Sequence, residues 1–155
     1  MTGTIEARLI EHDIELPEAA APAANYVPAV RSGNMLYVSG QLPMWDGGLR
    51  HCGRLGAGVP LDEGQACARL CALNIVAQAK AALGDLDRVA RVVKLVGFVN
   101  STPDFTDQPK VINGASDLMV EVFGDRGKHA RAAVGVAALP FGVAVEVDAI
   151  LEVAD

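Results

Sequence analysis

Residues 129–153 read HARAAVGVAALPFGVAVEVDAILEV, and this stretch decides how the chain is read. It contains two strand-like runs joined at Leu139-Pro140-Phe141-Gly142. In the second run Val143, Val145, Val147, Ala149, Leu151 and Val153 fall on one face, and Glu146, Asp148 and Glu152 on the other. That period of two is the pattern of a half-buried strand. In the first run Arg131 shares its face with His129, Ala133 and Gly135, so a long cation stands among small neighbours, with open space beside it. Such an arginine either pairs with a nearby Asp or Glu at the sheet surface or grips a ligand carboxylate through two parallel hydrogen bonds.

The rest of the chain can be read outward from there. Residues 27–41 form a hairpin around Ser32-Gly33-Asn34, with Met35 to Ser39 as the return strand. A glycine-rich loop follows, from Trp45 to Gly58; it lacks the spacing of a phosphate-binding loop, and the nucleotide reading is rejected. Asp62 to Leu83 reads as a helix, acidic at its start and stopped by Gly84. Ala66, Leu70, Leu73 and Ala77 form its expected packing stripe, while Arg69, Gln78 and Lys80 face water. Cys67 and Cys71 are read as buried, inert thiols, because their spacing with His51-Cys52 is poor for a metal. Leu86 to Asn100 reads as a strand buried on both faces. Asp107 to Phe123 reads as a second helix, interrupted at Asn113-Gly114. The order is therefore hairpin, helix, strand, helix, hairpin.

At 155 residues, this is one domain, with 1–25 as an extension and 26–155 as the domain proper. Thr4 caps a short helix running to about His12, and a Pro/Ala-rich connector follows. Hydrophobic residues make up 51% and aromatic residues only 5%, so the core is built from small side chains. A net charge of −6 repels phosphate backbones, which argues against a nucleic-acid partner. No apolar run is long enough to cross a bilayer and no leader is evident. With three cysteines in no disulfide pattern, the expected compartment is the cytoplasm. Helices on one side of a mixed sheet leave the other face to be covered, so self-association is expected.

The run from Ala130 to Pro140, followed by Val145-Glu146-Val147-Asp148-Ala149, resembles the C-terminal signature of the Rid (reactive intermediate deaminase) family, also called the YjgF-type or L-PSP endoribonuclease family. Tyr26-Val27 and the run Gly33 to Pro43, ending in Ser39-Gly40-Gln41-Leu42-Pro43, resemble the family's N-terminal hairpin. The resemblance implies an α+β, chorismate mutase-like fold: a mixed sheet with two main helices on one face, assembled as a homotrimer around a central barrel, with pockets between subunits. It implies hydrolysis of 2-enamines and 2-imines to 2-oxo acids and ammonia, without metal or organic cofactor. By the same resemblance Arg131 binds the substrate carboxylate and Glu146 assists the attacking water, while Tyr26, Ser39, Gly40 and Asn100 line the ligand.

Each of these residues also has a plainer reading. Glu146 is otherwise a solvent-side residue or a partner for Arg131, Tyr26 a packing aromatic, and Gly40 a relief of the strand end. Relatives often carry Cys where this chain has Ala133, and Pro where it has His129, which is expected at the pocket rim. These departures leave a non-catalytic, carboxylate-binding trimer as the alternative function, and the acidic charge weighs against ribonuclease.

Overall fold

The computed structural model describes residues 3–21 and 25–155. A short helix α1 (Thr4–Glu11) precedes the hairpin β1 (Ala29–Ser32) and β2 (Met35–Gln41). Two small paired segments follow, β3 (Met44–Trp45) with β4 (Gly48–Leu49) and β5 (Arg54–Leu55) with β6 (Gly58–Val59). The remainder is α2 (Leu61–Leu83), a 3-10 turn at Leu86–Arg88, β7 (Val89–Asn100), α3 (Gln108–Phe123), β8 (Ala130–Val136) and β9 (Val145–Val153). The main sheet has the order β1-β2-β9-β7-β8, with β7 and β8 parallel and the other pairs antiparallel.

The two C-terminal strands are therefore not a hairpin, contrary to the sequence reading. They lie on either side of β7, and residues 137–144 cross the strand ends between them, held by bonds such as Asn100 N to Ala144 O (2.9 Å). A parallel pair needs a long crossover, and α3 supplies it between β7 and β8. Alternation along each run identified both strands but carried no information about their partners. In β9 the expected face is buried throughout, from Val145 to Val153.

Strand β7 is buried on one face only in the single chain: Leu95, Gly97 and Val99 lie under the helices, while Val96 and Phe98 are half covered. Helix α2 ends at Gly84 as expected, and Leu70, Leu73 and Ala77 of the expected stripe pack inward, but the buried face is wider than that stripe. Gln78 is buried and Ala66 exposed, and the Cys67, Cys71, Asn74 and Gln78 stripe is interior. By length (23 residues) and mean hydropathy (1.2) this helix would pass for a membrane span, a correction to the sequence reading; two thirds of that window (67%) is buried inside the protein. It is the core helix.

Helix α3 is not interrupted at Asn113-Gly114. Gly114 is the point where the two helices meet: a Cβ there would collide with the backbone carbonyl of Gln65 on α2. The alanine-rich composition acts in the same way, letting Ala68, Ala72, Ala79 and Ala115 bring backbones close.

Residues 3–21 belong to this layer. Ile5 and Leu9 join the main core, and Ile14 and Leu16 pack against it. Thr4 is not the cap of α1; the carboxylate of Asp87, in the 3-10 turn after α2, receives the amides of Thr4 (2.9 Å) and Ile5 (2.8 Å). Arg8 donates to Val122 O (3.0 Å) and Glu121 O, placing a cation at the carbonyl end of α3.

Two outcomes test this packing. Gly114→Ala should lose about 1–3 kcal/mol in urea melts, because a backbone carbonyl must move to admit the methyl. Asp87→Asn should cost about 1 kcal/mol at pH 7. The amides of Ile5 and Thr4 hold the Asp87 carboxyl below its usual value. Its contribution is therefore present above the ordinary carboxylate range and lost as pH falls through the lowered value, and the two proteins should converge in acid.

Candidate functional site

The site begins with a fault in the sheet. Strand β2 pairs with β9 at Val38↔Ala149 and then at Gln41↔Val147, so β2 takes three steps where β9 takes two. The extra residue falls at Ser39-Gly40, and bulges of this kind re-aim side chains beside sites. Gly40 is glycine for a contact reason: a Cβ there would strike the carboxylate of Glu146, which lies over it. Around this contact is a cavity of about 310 Å³, whose walls include Tyr26, Ser39, Gln41, Gln78 and Phe141. Ala20 and Ala21 of the N-terminal segment close one side.

The cavity is electrostatically one-sided. Glu146 is half-buried, with no cation at ion-pair distance among the described residues. Loss of solvation, and then the nearby Asp148 carboxylate, push its pKa up. Burial also raises Asp148, with Lys94 opposing. Behind them two amide side chains interlock: Gln41 Nε2 donates to Ser39 O (3.1 Å), and Gln78 Nε2 to Ala20 O (3.1 Å) and Gln41 Oε1 (3.5 Å).

Gln78 and Phe141 were not read as site residues from sequence. Phe141 is 80% exposed at the cavity mouth with φ of 58°, a left-handed conformation rare for a bulky side chain. The only signal for Gln78 was its place on the cysteine stripe of α2.

Arg131 lies elsewhere. On β8 it pairs with Leu95, whereas Glu146 on β9 pairs with Phe98, so the two occupy opposite faces of the sheet on strands separated by β7, roughly 10 Å apart across it. The guanidinium reaches α3, where Nη1 donates to Ser116 Oγ (3.1 Å) and Nη2 to Pro109 O (3.0 Å). Among the described residues no carboxylate pairs with it. The open space expected beside it is partly filled, since the Gln108 and Ser101 side chains occupy the position of a Cβ on Gly135. A second cavity, of about 360 Å³, lies here, lined by Arg54, Ser101, Thr102, Gln108 and Gly135. Arg131 shares the first turn of α3 with it, through Pro109.

His129 is half-buried, with Nε2 2.9 Å from Ser116 Oγ. Asn100 is a buried staple whose Nδ2 donates to Val143 O (3.1 Å), apart from both cavity linings. Cys67 and Cys71 are interior thiols, and burial pushes Cys71 well up. One chain thus unites Tyr26, Ser39, Gly40 and Glu146, but neither Arg131 nor Asn100 with them.

Residues 6–152 match the model of the YjgF/chorismate mutase-like endoribonuclease family. The chain belongs to this family, the YjgF/Rid family. Protein TCP17 of Trypanosoma cruzi is 61% identical over 152 residues, covering 97% of this chain and 95% of its own. A solved protein of unknown function from Agrobacterium tumefaciens is 55% identical, with a TM-score of 0.90 over 97% of this chain and 94% of the other. RidA from an Antarctic Psychrobacter is more distant, at 32% identity and a TM-score of 0.62 over 88% and 94%. The fold is thus shared with RidA over most of the chain, and the match extends over nearly all of it in the nearer relatives.

The raised Glu146 carboxyl gives a test of the site's electrostatics. A carboxyl whose pKa rises on folding favours the folded state at low pH, and that contribution is lost as pH rises through the raised value. Glu146→Gln should therefore melt higher than the parent at pH 7, with the difference shrinking as pH falls through the raised value. Thermal melts across this range would show it, and a variant less stable at pH 7 would mean that Glu146 has a favourable partner.

Proposed function

We propose that the protein hydrolyses small 2-enamines and their 2-imine tautomers that carry a carboxylate, giving a 2-oxo acid and ammonia. The observation that carries this reading is Glu146, a half-buried carboxylate of raised proton affinity facing a cavity of small-metabolite size. As the water oxygen bonds to the imine carbon, Glu146 takes its proton. Glu146 returns that proton to the nitrogen, giving a carbinolamine; the proton of the new hydroxyl then passes to the amine, the C–N bond breaks, and the 2-oxo acid and ammonia remain. Tyr26 and Phe141, both exposed at the cavity, flank the ligand. Ser39 and Gly40 form the bulged wall.

Arg131 supplies the carboxylate grip from another copy of the chain, because within one chain it lies across the sheet from Glu146. Exposed Val30, Tyr37 and Val134 on the strands support such an assembly, and the proposed assembly is the family's homotrimer. The same separation favours the alternative, a carboxylate binder without turnover, if the chain does not assemble.

A dehydratase that makes 2-aminoacrylate from serine provides the assay. The protein should accelerate pyruvate release, and it should sediment as a trimer. Arg131→Ala should lower kcat/KM about 100-fold, the scale of a lost charged hydrogen-bond pair. Glu146→Gln should lower kcat by about 10²–10⁴. No acceleration with any of several 2-imino acids, together with retained binding of 2-oxo acids, would instead establish the binder.

A further inference from the structure

Three side chains between β8 and α3 are joined end to end, away from the Glu146 cavity. Arg131 Nη1 donates to Ser116 Oγ at 3.1 Å, Ser116 Oγ lies 2.9 Å from His129 Nε2, and His129 Nδ1 lies 2.6 Å from Gly127 O. What each group can donate fixes the protons. A carbonyl only accepts, so in the neutral imidazole Nδ1 carries the hydrogen and Nε2 is left as an acceptor. The single Ser116 hydrogen then points to Nε2, and the hydroxyl oxygen is free to accept from Arg131. Donation to the imidazole also makes that oxygen a better acceptor.

We infer that Ser116 and His129 are positioning residues for Arg131, holding its guanidinium ready for the substrate carboxylate; this rests on the reading of Arg131 given above. Its neighbours on the same strand face do not wedge it in place, because Ala133 has only a methyl and Gly135 has no side chain. The hydroxyl of Ser116 fixes one terminal nitrogen and Pro109 O the other. Of five N–H donors, these two bonds leave three for a ligand. Every acceptor in the run is neutral, so the arginine is oriented without its charge being cancelled. A carboxylate in place of Ser116 would also orient it, but would neutralise it. Orientation before the ligand arrives removes the cost of immobilising a long side chain from binding.

The test uses the full-length protein, with calorimetric titration of 2-oxobutanoate alongside the imine assay. Ser116→Ala and His129→Ala should each weaken 2-oxobutanoate binding and raise KM about tenfold, with kcat within about twofold of the parent. His129→Gln, whose Oε1 can accept where Nε2 did, should recover most of the loss. In an Arg131→Ala background neither substitution should have a further effect. Ser116→Asp should abolish binding although the protein still melts cooperatively. Nitrogen-15 spectra of the imidazoles, assigned through His129→Gln, should show the Nδ1–H tautomer for His129.

If Arg131→Ala leaves affinity and KM unchanged, both readings of Arg131 are overturned. If Arg131→Ala abolishes binding while Ser116→Ala and His129→Ala match the parent, only the positioning role falls. An Nε2–H tautomer for His129 would overturn that role whatever the kinetics.

Discussion

Strand Val89–Asn100 is hydrogen-bonded along both edges, antiparallel to Val145–Val153 and parallel to Ala130–Val136, and the placement of Arg131 and Glu146 follows from that mixed pairing. The parallel edge demands a crossover, and the crossover is α3. Gly97 lets Ile112 of that helix lie directly on the strand, so α3 sits over the face that carries Leu95, Val99 and, on the neighbouring strand, Arg131. The antiparallel edge puts Glu146 on the far side of the same strand and on the opposite face. A single chain therefore offers a cation and a carboxylate that cannot meet each other, which leaves each available to a ligand.

Two locally unfavourable features are concentrated at the Glu146 cavity. One is a half-buried carboxylate whose neighbour is another carboxylate, and the other is Phe141 in a left-handed backbone at 80% exposure. Surrounding structure must hold such features in place, and they gather where a protein binds or reacts. Here the bulge at Ser39-Gly40 and the interlocked Gln41 and Gln78 amides provide that frame. The Arg131 region is built differently: its cation is held by neutral acceptors, with no carboxylate at ion-pair distance among the described residues.

The small side chains set how near these layers lie. Gly114 brings α3 against α2, and alanines along α2 bring it against the sheet, so α2 is covered on nearly all sides. The N-terminal segment completes the layer. Asp87 binds the start of α1, Arg8 binds the end of α3, and Ala20 and Ala21 reach the cavity wall. What looks from sequence like an appendage thus helps to shape the site.

By itself, the sequence determined the family, the α+β class, the three helices and the five strands of the main sheet, because these depend on local periodicity, turn residues and short motifs; the two-residue strands β3 to β6 lie in what reads as a glycine-rich loop. The alternating valines of β9, the helix stop at Gly84 and the Ser39-Gly40-Gln41-Leu42-Pro43 run could each be read without a partner in view. The tertiary structure decided the rest. It split the supposed hairpin of β8 and β9 around β7, turned Gln78 inward, gave the capping of α1 to Asp87, and joined His129 to Ser116. Strand partners, helix facing and hydrogen-bond direction depend on residues far apart in the chain, and no local pattern of a single sequence encodes them.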